Sequence, residues 1–225
     1  MRCAELSREL REPLAGSAPV VARWQLVERP KPWGRDHGLK LENGKVLLVR
    51  ALQQTVAKSE RRYLVCTNGA RDPCCAIRGA SVGLALARAG LNVWECSHLG
   101  GHRFAANLLV LPDALCFGYL DAQSAVALAA ELEAGRLPLE HLRGRTTLTA
   151  AQQAAEILAR RELGLDGLDD ARHVEGTTFD TPRGRFAATV RSRELEPRRV
   201  SCRDDKQEAP LEWTLLSLEP RHQST

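Results

Sequence analysis

Two short stretches carry side chains able to bind a soft metal. Cys66-Thr67-Asn68-Gly69-Ala70-Arg71-Asp72-Pro73-Cys74-Cys75 supplies thiols, and His98-Leu99-Gly100-Gly101-His102 supplies imidazoles. Thiolate sulfur and imidazole nitrogen are donors for zinc and for iron–sulfur centres. Cys66 and Cys75 enclose eight residues, and His98 and His102 enclose three. A zinc knuckle brackets its metal with cysteines only about two to four residues apart, so this loop is too wide for one. A larger group such as a two-iron cluster matches it better. Spacing alone leaves cluster, zinc and ordinary packing thiols all open. Gly69, Gly100 and Gly101 let the backbone turn sharply and approach a bulky centre.

The elements around these stretches read as alternating strands and helices. Residues 45–50 and 62–65 are short apolar runs of strand type, and the second delivers the chain into Cys66. Residues 91–96 alternate and end at the histidine loop, so the four candidate ligands converge if these last two strands are neighbours. A helix is expected from about Ile77 to Ala89, with Gly90 closing it. Gly79 and Gly83 lie one turn apart within it and would let it sit close to a sheet. A glycine-rich loop entering a helix near Phe104 is expected after His98.

Farther out, residues 4–12 read as a short charged helix closed by Pro13 and Gly16, and residues 20–27 as a strand. The prolines of Arg29-Pro30-Lys31-Pro32-Trp33-Gly34 exclude a regular element, and Trp33 reads as a plug beneath that loop. Strands are expected at 108–112 and 114–119, and helices at 124–134 and from Thr149, with its capping-box spacing, to about Leu163. Beyond residue 165 turn-rich sequence separates strands at 186–190, 199–202 and 213–218. The pattern implies an α/β layer fold of thioredoxin type over residues 1–146 and a small C-terminal α+β unit over 147–225.

Composition narrows the function classes. The net charge of +4 is mild and spread along the chain, without the basic block that nucleic-acid binding would show. No apolar run approaches the ~18 residues of a membrane span, and the charged start lacks a secretory core, so a cytoplasmic protein is expected. Seven cysteines without such a signal favour metal or redox chemistry over structural disulfides. Cys3, Cys116 and Cys202 read as buried packing thiols. Arg71 and Arg103, flanking the ligand loops, read as solvated loop charges.

Val65 to Asp72 with Cys75, and Ser97-His98-Leu99-Gly100-Gly101-His102-Arg103-Phe104-Ala105-Ala106-Asn107, resemble the sucrase/ferredoxin-like family of thioredoxin-like ferredoxins. Cys3, Gly16-Ser17-Ala18, Trp24, Glu28 and Trp33-Gly34 resemble the start of its bacterial members. The resemblance implies a [2Fe–2S] cluster held by Cys66, Cys75, His98 and His102. Register with the family favours Cys75 over the adjacent Cys74, and Asn68 stands where the family tends to carry histidine. Such a protein would be an electron carrier serving a redox partner protein, with no nucleic-acid or membrane partner and no catalytic residues. Two histidine ligands on one iron would raise the potential and couple electron to proton uptake. A structural zinc site on the same ligands is the alternative. So is a thiol–disulfide enzyme using Cys66 or Cys74-Cys75, although no Cys-x-x-Cys opens a helix. No pair of acids is placed for glycoside chemistry.

Overall fold

The computed structural model describes residues 1–52 and 60–221. In chain order the elements are α1 (Cys3–Glu9), β1 (Trp24–Glu28), β2 (Lys45–Ala51), β3 (Arg62–Cys66), α2 (Pro73–Arg88) and β4 (Val93–Cys96). A single 3₁₀ turn at His102–Phe104 leads to β5 (Leu108–Leu111), β6 (Leu115–Phe117), α3 (Ala122–Glu133), β7 (Leu142–Arg145) and α4 (Ala150–Leu163). Then come β8 (Arg172–Glu175), β9 (Thr178–Thr181), β10 (Gly184–Glu194), β11 (Arg198–Arg199), β12 (Gln207–Glu208) and β13 (Leu211–Arg221). Among the described residues no helix is long and apolar enough to cross a membrane.

The first seven strands form one mixed sheet in the order β1-β2-β4-β3-β5-β6-β7. β3 and β4 run parallel with Cys66 opposite Cys96, as the strand-to-strand convergence required. Both strands therefore end at one edge, and the loops after them leave side by side. Carboxyl ends of adjacent parallel strands are a recurrent place for a bound group in α/β sheets. β5 lies antiparallel on the other side of β3, so residues 97–107 must cross over this same edge.

Helix α2 begins four residues earlier than the sequence pattern suggests. Asp72 caps it, accepting the Cys74 amide at 2.9 Å, and Pro73 occupies the first turn, where a missing N–H costs nothing. Cys74 and Cys75 consequently ride on the first helical turn rather than in a loop. The helix packs on the sheet through Val82 and Leu86, in a core with Tyr63, Val65, Val93 and Phe117. Gly79 lies against the end of β3: a Cβ there would stand 2.2 Å from the Cys66 carbonyl oxygen.

A second sheet, β13-β10-β9-β8, is antiparallel throughout. Helix α4 covers it, burying Ala155 and Ala159 against Phe179 and Ala188. Strands β7, β8 and β9 have no counterpart in the sequence reading, because Leu142-Arg143-Gly144-Arg145 and the short polar strands lack an apolar alternation. The small β11–β12 pair holds a loop that folds back toward α1 and α2.

The two glycines of α2 have opposite packing. Gly79→Ala is expected to cost about 3 kcal/mol or more, because the new methyl meets fixed backbone. Among the described residues Gly83→Ala meets the tip of Leu52 at 3.0 Å, and the gain in helix propensity of about 1 kcal/mol offsets the contact. Urea unfolding of the two variants measures the difference; equal stabilities would contradict the close approach.

Candidate metal centre

Cys66, Cys75 and His98 come together, with one donor atom from each lying within 4.8 Å of the others. Cys66 is the last residue of β3, Cys75 sits in the first turn of α2, and His98 follows β4. His102 stands outside this trio, its ring centroid 5.3 Å from that of His98 and its Nε2 3.7 Å from the Asp72 carboxylate. The floor is apolar, built of Leu47, Val49, Leu64, Leu99 and Leu109.

Charge at the site is anomalous for a group of resting thiols. The Cys66 thiol is held well below its usual pKa by hydrogen bonding from Cys75, aided by His98, while Cys75 is pushed up by the same bond and by burial. Lys45 is pulled down by burial while the sulfurs of Cys66 and Cys96 oppose that shift. Its Nζ donates to the Leu99 carbonyl at 3.4 Å. Arg143, fully buried, is likewise pulled down by burial. Three buried imidazole nitrogens, His98 Nδ1 and both nitrogens of His102, have no hydrogen-bond partner among the described residues. Orphaned buried donors and acceptors are costly, and ligation of a metal is one way to satisfy them. The donor set, its orphans and its two neighbouring cations all fit an anionic metal–thiolate group.

The histidine loop is held by Arg143, which no sequence pattern singles out, together with Asn107 and Ser17, which carry part of the family resemblance. Arg143 donates to the Gly100 carbonyl at 3.0 Å, to Asn107 Oδ1 at 2.8 Å and to Ser17 Oγ at 3.1 Å, and it also reaches the Ser17 carbonyl. Asn107 Nδ2 in turn donates to the Gly101 carbonyl at 2.9 Å. Gly101 has φ +68°, and a Cβ there would strike the Arg143 guanidinium at 2.5 Å. Glycine is therefore required on both conformational and steric grounds. Arg103, expected to be solvated, instead pairs with Glu12 at 2.5 Å and Glu208 at 3.2 Å. Those partners lie about a hundred residues away in either direction, beyond any local reading.

A second group of donors includes two of the cysteines expected to be packing thiols, Cys3 and Cys202. Cys3, Cys74 and Cys202 gather around the Asp72 carboxylate. Cys3 is buried in an apolar cluster with Ala4 and Ala105 and Cys202 is partly buried against it, while Cys116 is buried in β6 with Arg143 3.5 Å from its sulfur. Cys74 has its pKa drawn down to about 6, chiefly by the Cys3 thiol, which is itself pushed up by the same bond. Residues 3, 74 and 202 are so distant in sequence that only the large cysteine count hinted at them. The Asp72-Pro73 pair, by contrast, was a readable helix start.

A mixed α/β protein with cysteine and histidine donors at the ends of paired parallel strands is thus the class defined by the geometry. Residues 39–144 match the model of the sucrase/ferredoxin-like family. The match contains Cys66, Cys75, His98 and His102, whereas Cys3 and Cys202 lie outside it. No curated protein matches the chain.

The Asn107 bridge gives a direct test of how the loop is held. Asn107→Ala leaves the Gly101 carbonyl and one arm of Arg143 unpaired in a buried setting, at an expected cost of about 2–3 kcal/mol. A loss below about 1 kcal/mol in urea unfolding would show that this bridge does not hold the loop.

Proposed function

We propose that this protein is a soluble, cytoplasmic electron carrier whose [2Fe–2S] cluster is held by Cys66, Cys75, His98 and His102. One observation carries the choice over structural zinc. A closed zinc site needs four donors around one small ion, yet here, among the described residues, Cys66, Cys75 and His98 form a tight group of three and His102 stands outside it. A two-iron cluster is large enough to engage both. The β4-β3-β5-β6 order, with α2 linking the parallel pair and α3 following β6, supports the thioredoxin-like core that the family resemblance implies.

When bound, such a cluster supplies one reversible electron at a potential set by its ligands and surroundings. The chain's own residues do the rest. Leu47, Val49, Leu64 and Leu109 exclude water from the sulfur side. Lys45 and Arg143 favour added negative charge there, which eases reduction. His98 borders an open cavity of about 550 Å³ whose charged lining is Arg35, Lys40, Lys45 and Arg71 against Asp36, with Arg35 paired to Asp204 and Arg71 3.7 Å from Asp36, which leaves an excess of positive charge. This basic rim suits an acidic surface on a redox partner protein. A thiol–disulfide role would leave both histidines without a task.

Anaerobically purified protein is expected to be red-brown, with iron and acid-labile sulfide in equal amounts at about two of each per chain. Zinc bound through Cys66 and Cys75 with no sulfide would overturn the proposal. Among single variants, Cys75→Ser should lose the visible spectrum and Cys74→Ser should keep it. The reverse pattern would reassign the second thiolate.

A further inference from the structure

We infer that Cys3, Cys74, Cys202 and Asp72 form a second metal site, separate from the first, that takes a single zinc ion. The sulfur of Cys3 stands 3.7 Å from that of Cys74 and 3.5 Å from that of Cys202, and the last two are 3.5 Å apart. With zinc–sulfur bonds near 2.3 Å, tetrahedral coordination spaces sulfurs by about 3.8 Å. The three thiols already stand close to that triangle. Both Asp72 carboxylate oxygens lie 3.8 Å from the Cys3 sulfur, close to the ~3.6 Å sulfur-to-oxygen edge of the same tetrahedron. In a two-iron cluster at most two thiolates share one iron, and in a four-iron cluster each binds a different one, so three sulfurs mutually within 3.7 Å fit neither. A single ion is therefore the better fit.

The surroundings are those of a ligand set rather than of packed thiols. The Cys3 amide donates to the Cys202 sulfur at 3.2 Å, and the Ala4 amide donates to the Cys74 sulfur. Amide donors of this kind favour thiolate over thiol. Asp72 is held in turn by the Cys74 amide at 2.9 Å, the Cys202 amide at 2.8 Å and the Ser201 hydroxyl at 3.5 Å. Cys3 and Cys74 are buried, Cys202 is partly exposed, and a cavity of about 280 Å³ lined by Arg2, Cys74, Ile77 and Arg78 gives access from solvent. Binding converts each S–H to an S–Zn bond, releasing up to three protons to solvent and leaving zinc redox-inactive.

The four ligands come from three remote parts of the chain: α1, the start of α2, and the loop between β11 and β12. Zinc here would fasten the amino-terminal helix and the carboxy-terminal segment to the turn that carries Cys75. The site does not depend on the cluster assignment.

The test is metal analysis with variants chosen to separate the two sites. Wild-type protein should hold one zinc per chain, and Cys66→Ser, which removes a ligand of the other centre, should keep it. Cys202→Ser should lose zinc while keeping the visible spectrum of the wild type. Zinc-edge X-ray absorption on Cys66→Ser protein should show three sulfur neighbours and one oxygen neighbour, which holds the claim open to test even if Cys202→Ser folds poorly. Failure of the cluster proposal would appear as absent iron and sulfide with this zinc still present. Cys66→Ser protein that takes up no zinc after incubation with excess metal under reducing conditions would overturn the inference. So would a zinc spectrum containing imidazole.

Discussion

The buried carboxylate of Asp72 is the contact on which this structure turns. It caps α2 through the Cys74 amide, anchors the distant Cys202 amide and stands 3.7 Å from His102. One side chain thus fixes where the helix begins, where the carboxy-terminal loop docks and where the histidine loop passes. Burying a carboxylate is costly without such partners, and two amide bonds in place of water hold its pKa below the usual value against the opposing effect of burial.

From that point the two groups of donors separate. Consecutive residues at a helix start point in different directions, so Cys74 faces Cys3 and Cys202 while Cys75 faces Cys66 and His98. The adjacency of two cysteines, ambiguous as a string, becomes a division of labour on a helical turn. Gly79 allows that turn to lie against the end of β3, and Gly101 lets the histidine loop close over Arg143. The sheet supplies rigidity; the loops and the helix start supply the donors.

The legible part of this fold was the part governed by short-range rules. Apolar runs announce β2 and β3, the glycine stops announce the ends of α2, α3 and α4, and Trp33 is buried, as a large aromatic under a proline loop should be. The convergence of Cys66 and His98 followed once their strands were paired. What stayed hidden depends on distance along the chain. Arg143 lies in a strand with no apolar rhythm and acts on carbonyls about forty residues away. Arg103 finds Glu12 and Glu208, and Cys3 finds Cys202, only after the chain has folded back on itself. Composition and periodicity carry no information about such pairings.

Anomalous diffraction from anaerobically grown crystals, recorded at the iron and zinc edges, tests the account most directly. The account predicts iron density among Cys66, Cys75, His98 and His102, and a separate zinc peak among Cys3, Cys74, Cys202 and Asp72. A single metal shared across Asp72, or zinc alone between Cys66 and Cys75, would contradict it.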